Sequence, residues 1–153
     1  MPSSAPGATI ERTRGETRRG ASMALGVFGG VIGGLMALVF AAYAIFGSLL
    51  DLGATRAEET AVMGATIAML VLSIVGAVGG TTARTEPGKG AALQIVAAVG
   101  GIVVVGLMAL VKVSGLGGDE SNFVDALWLV VGFWSIPAVM FGFGAGLARA
   151  GAE

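Results

Sequence analysis

The chain has 153 residues, with nine basic and ten acidic side chains, a formal net charge of −1, and no cysteine or histidine. Those absences exclude disulfides, thiolate and imidazole metal sites, cysteine nucleophiles and histidine bases, and the charge balance leaves no bulk basic surface for nucleic acid. Hydrophobic residues make up 55% of the chain, charged residues only 12%, and the mean hydropathy is +0.88; a fold this small cannot bury so much apolar surface in water, so lipid has to cover the remainder.

Residues 1–20 (MPSSAPGATIERTRGETRRG) are polar, rich in Pro, Gly and Ser, and mixed in charge sign. Such a segment cannot build a core and is expected to be a flexible tail. No charge occurs from Ala21 to Leu50. A membrane span needs about 20 apolar residues, so 21–50 is the first expected span. Ala42-Tyr43-Ala44 has the form of a leader cleavage site, but the apolar run is too long for a leader's core and continues past it. Residues 51–59 (DLGATRAEE) are a polar loop, and 60–80 a second uncharged run. Pro87, Gly88 and Gly90 mark a turn over 81–90. The third expected span, 91–111, stops before Lys112, and VSGLGGDES (113–121) is a loop. The fourth, 122–148, contains only Asp125 and Pro137 as interruptions, and 149–153 is a short tail.

Long, uniformly apolar runs become helices in lipid, because every backbone N–H and C=O needs a partner within its own segment. Barrel strands would alternate in polarity over about 10 residues. The expected fold is therefore all-α, a polytopic membrane protein of four antiparallel helices spanning 21–148. Arg12, Arg14, Arg18, Arg19, Arg84, Lys89 and Arg149 fall on one side of it, and only Arg56 and Lys112 on the other. The positive-inside rule then makes both termini cytoplasmic. Arginine exceeds lysine seven to two and Ala and Gly abound, a composition consistent with a GC-rich bacterial genome.

GVFGGVIGGL (26–35) is half glycine. It departs from the G-x-G-x-x-G dinucleotide pattern, and TEPGKGA (85–91) lacks two of the four defining P-loop positions, with Ala83 and Gly90 where Gly and Ser or Thr are required. Helical spacing accounts for the glycines better. Ser22, Gly26, Gly30 and Gly34 form one small-residue stripe, and Gly29, Gly33 and Ala37 its neighbour. Gly76 and Gly80 on the second span, Gly101 on the third, and Gly142 and Gly146 on the fourth extend the pattern. Small residues let backbones approach, so that dispersion and weak Cα–H···O contacts hold helices together where the hydrophobic effect cannot.

Polar groups inside a span are where function is sought first. Gln94 is read either as a pore or ligand contact or as an interhelical hydrogen bond. Asp125 is read either as a cation or proton site or as the third residue of a helix capped by Asn122. Ser135 is the remaining polar candidate and sits where it can satisfy backbone groups freed by Pro137, which is expected to kink the fourth helix. Trp134 lies too deep for an interfacial belt and is expected to pack in the bundle or against a partner.

The basic tail running into ALGVFGGVIGGLMAL (24–38) resembles the opening of small bacterial four-transmembrane-helix proteins grouped as a domain of unknown function. LSIVGAVGG (72–80), a short basic loop with proline, and GAALQIVAAVGGI (90–102) are similar to their second and third spans. The likeness covers roughly residues 20–148. It implies four helices in the inner membrane and supplies no catalytic residue. The expectation is thus a non-enzymatic integral membrane protein with no cofactor and no metal site. Its role is structural or that of an accessory subunit, with the bilayer and a homo-oligomer or larger membrane complex as partners. A minimal transporter or channel, or a lipid- or quinone-binding subunit, is the alternative.

Overall fold

The computed structural model describes residues 6–49, 56–113 and 123–152. Among the described residues the chain is all-helical, in the order α1 (Pro6–Leu49), α2 (Arg56–Thr82), α3 (Pro87–Val113) and α4 (Phe123–Ala150). Three segments are long and apolar enough to cross a membrane: Ile10–Ala42, Thr60–Thr82 and Pro87–Leu110.

Prolines open α1 and α3, at the position where a missing N–H costs nothing and φ is already helical. Between α2 and α3 the chain reverses in one tight turn. The Glu86 N–H donates to the Thr82 carbonyl at 2.8 Å, and Gly90 N–H donates to the Glu86 carbonyl at 2.9 Å, starting α3. Glycine is required at position 90, because a methyl there would collide with the Ala83 backbone. Lys89 and Glu86 form an ion pair of 2.5 Å on this turn, but both are exposed, and such pairs add little to stability.

Each helix runs antiparallel to its two neighbours, in a square with α1 beside α2 and α4, and α3 beside the same two. On α1 and α2, Gly26 meets Gly80 and Gly30 meets Ser73 and Ala77; on α2 and α3, Gly79 meets Gln94 and Gly100 meets Leu72. On α3 and α4, Gln94 meets Gly144 and Gly101 meets Trp134; on α1 and α4, Gly15 meets Gly151 and Gly33 meets Trp134. In every pair one residue number rises as the other falls, which defines the up-down-up-down course.

Where a flexible tail is expected over 1–20, residues 6–20 are helix and continue α1. The physical reason is twofold. A helix already nucleated in a span propagates at little cost per residue, and this extension is tied down at its base. Arg18 Nη1 donates to the Ala150 carbonyl at 2.7 Å, and Arg19 Nε to the Gly151 carbonyl at 3.0 Å. These are carbonyls at the C-terminal end of α4, which lack partners inside their own helix. The 44 residues of α1, at about 1.5 Å each, reach about 66 Å, more than the about 40–45 Å of a whole bilayer.

The molecule is large outside and small inside. Phe28, Leu35, Ile67, Ile74, Val103, Leu107 and Phe143 are each more than half exposed, while Ala37, Ala83, Ala91, Ala97 and Ala148 are fully buried. Water would penalise such a surface; lipid does not.

Candidate functional site

Among the described residues, four large side chains occupy the bundle axis: Gln94 from α3, Phe141 and Trp134 from α4, and Met69 from α2, all 2% exposed or less. Each axial level is made possible by residues with little or no side chain on the helices opposite.

The uppermost level is Gln94, wholly buried one to two turns into α3. Its Nε2 lies 3.4 Å from both the carbonyl and the hydroxyl of Ser22, across the diagonal on α1. Both bonds are long. Its Oε1 has no hydrogen-bond partner and presses on Gly144 of α4, where the neighbour is backbone C–H, a weak donor. Gly26 bounds the amide on α1, and Gly79 of α2 bounds the base of the same side chain at its backbone N and Cγ. The carbonyl end of the amide is the one that tolerates Gly144, since the NH2 end would meet only further hydrogens.

One level down, the Phe141 ring fills the space between Gly29 of α1 and Gly76 of α2, so closely at Gly76 that any side chain there would overlap the ring. Below it Trp134 lies against Gly101 of α3, with its ring edge 3.4 Å from where a methyl on Gly33 of α1 would sit. Its indole Nε1 is buried with no hydrogen-bond partner. Ala37 and Met69 complete this cluster.

The residues picked out for helix contact divide between two faces of α1. Ser22, Gly26 and Gly30 are buried toward α2 and the axis. A methyl on Gly26 would stand 2.5 Å from the Gly80 Cα, and one on Gly30 2.7 Å from the Ala77 Cβ. Gly29 is buried toward α4, Gly33 lies between Ser73 of α2 and Trp134 of α4, and Ala37 is buried in the cluster with Met69 and Trp134. Gly34 sits on the same stripe as Gly30 but meets nothing within 4 Å. Gly142 and Gly146 of α4 likewise meet nothing and are exposed; the inward stripe of α4 is Trp134, Pro137, Phe141, Gly144, Ala145 and Ala148.

The two polar candidates whose side chains are described, Gln94 and Ser135, do not converge. Ser135 is exposed, and its hydroxyl donates to the Gly132 carbonyl at 2.7 Å, one residue short of Phe133, whose carbonyl Pro137 deprives of its usual donor. α4 is continuous helix through the buried Pro137. Asp125 falls in the first turn of α4, but its side chain lies outside the described residues, as does Asn122 entirely. The hydroxyls of Thr66 and Ser73 donate to their own helix, at the Val62 and Met69 carbonyls.

Sequence reasoning passed over Phe141 and Met69. The signal was available for Phe141, which follows Trp134 and Pro137 at helical spacing on one face. Met69 had no comparable mark. Comparison with protein-family models, with curated proteins and with solved structures finds no match to this chain.

Proposed function

We propose that this protein is a small multi-pass constituent of a bacterial inner membrane, with four spans, both termini in the cytoplasm, and a non-enzymatic structural or accessory-subunit role. The observation that carries the reading is the closed axis. Gln94, Phe141, Trp134 and Met69 fill the centre, the first three seated against glycines of other helices, while large aliphatic side chains face outward. A transporter or channel requires a polar lining or a passage; Gln94 is locked between glycines and Ser135 points away from the axis. The cytoplasmic assignment draws support from the ends of the helices. Arg18, Arg19, Arg84, Lys89 and Arg149 all stand at the end of the bundle where the α2–α3 turn and the C-terminus of α4 lie, as the positive-inside rule requires of a cytoplasmic face.

An accessory subunit leaves part of its outer surface to a partner. Purified in a mild detergent from its own membranes, the full chain is expected to migrate as a defined homo-oligomer or with co-purifying membrane protein. A monodisperse monomer without partner would overturn the accessory role.

A further inference from the structure

We propose that the cytoplasmic end of the α1–α4 seam holds one anionic glycerophospholipid, its phosphate on Arg14 and Arg18 and an acyl chain in a furrow along α4. The inference rests on the membrane reading above and adds a specific ligand site to it. Two open grooves meet at Leu147, the first between α1 and α4 and the second lined by α4 alone. The first, about 560 Å³, follows one face of the α1 extension from Ile10 through Arg14 and Arg18 to Ala21. The second, about 400 Å³, runs down the outer face of α4 from Gly146 to Val139, with Phe143 beside it. Gly142 and Gly146 create that furrow, since nothing stands within 4 Å of where their side chains would be.

The order of chemistry along the seam is that of a phospholipid. The lower cavity is apolar and about 12 Å long at about 1.5 Å per residue. The upper extends about 16 Å further on the same rise and carries two guanidinium groups one helical turn apart. Together they run about 28 Å, which covers the about 20–22 Å of one leaflet with its headgroups and about 6–8 Å beyond it. Arg18 gives one N–H to the Ala150 carbonyl and retains others, because a guanidinium has five. Arg14 is exposed. Planar guanidinium donors suit a phosphodiester. The acids of this segment, Glu11 and Glu16, do not line the cavity.

The test is native mass spectrometry of the full chain in detergent, titrated with phosphatidylglycerol or with phosphatidylcholine of the same acyl chains. Phosphatidylglycerol is expected to be retained in preference. Arg14→Gln is expected to weaken its retention about fivefold, the equivalent of the ~1 kcal/mol one basic side chain contributes at an anionic surface, while Arg12→Gln, equal in charge but outside the cavity, leaves it unchanged. Gly146→Leu is expected to fill the furrow and weaken retention of both lipids, with Gly106→Leu, also in open space, as the unaffected control. Equal retention of the two lipids, equal effects of Arg12→Gln and Arg14→Gln, or a dimer that Gly146→Leu dissociates would each overturn the site, the last by assigning the furrow to a second copy of the chain. Arg14→Gln alters an exposed side chain and keeps the test decisive even if leucine at 146 disturbs folding. A chain recovered in the aqueous fraction would instead defeat the membrane reading itself.

Discussion

Gly101 and Gly106 lie on the same helix, yet a methyl group has opposite consequences at the two. At Gly101 it would overlap the Trp134 indole, whereas at Gly106 it meets nothing within 4 Å. Trp134 cannot retreat easily, because its far edge already reaches Gly33 and its ring sits in the cluster with Ala37 and Met69. Gly101→Ala is therefore expected to lose about 1–3 kcal/mol to overpacking. Gly106→Ala should be neutral or gain up to about 1 kcal/mol from helix propensity. Reversible unfolding in mixed micelles measures both; equal effects would mean that Trp134 does not rest on Gly101. Gln94 belongs to the same scale. Interhelical hydrogen bonds in membranes average about 0.6 kcal/mol, and its two are long. The side chain acts more as a spacer that fits between Gly26, Gly79 and Gly144 than as a strong tie.

At the scale of elements, the contact between α1 and the C-terminus of α4 decides how far order extends beyond the spans. Arg18 and Arg19 donate to the Ala150 and Gly151 carbonyls, where partial negative charge collects at a helix end. Both arginines are only partly buried, so each bond is discounted from the strength of a fully buried charged one. Replacing either by Gln is expected to raise amide exchange in the last turn of α4 about fivefold, close to 1 kcal/mol. Exchange of the α2–α3 turn should not change. Unaltered protection of residues 147–151 in both variants would mean the extension of α1 is not held there. Together with propagation from the span, the same contact keeps the polar segment 6–20 helical, which its composition alone did not indicate.

For the whole molecule, the arrangement of small and large side chains carries the membrane assignment, and the arrangement of charge carries the proposed orientation. A reporter active only in the cytoplasm is expected to give signal when fused at either terminus, and none when inserted in the 51–59 or 113–121 segments. One silent terminus would break the four-span topology. Bundle stability and orientation are separable here: the glycine sockets lie along the axis, whereas the basic residues stand at one end.

Helical character and three membrane-length apolar segments follow from the sequence, because uncharged runs of this length can satisfy their backbones in lipid only as helices. The stripe of Gly29, Gly33 and Ala37 is readable in the same way, since helical spacing puts it on one face whatever it meets. The sequence could not say which glycines are sockets and which are open. Gly30 and Gly34 share a stripe, and Gly144 lies between Gly142 and Gly146, yet only Gly30 and Gly144 have a side chain against them. That distinction depends on which helices are neighbours and at what height they meet. A spacing pattern carries the first only as far as one helix's own face and the second not at all, so it took the tertiary structure to seat Phe141 at Gly76, Trp134 at Gly101, and Arg18 and Arg19 on the end of α4.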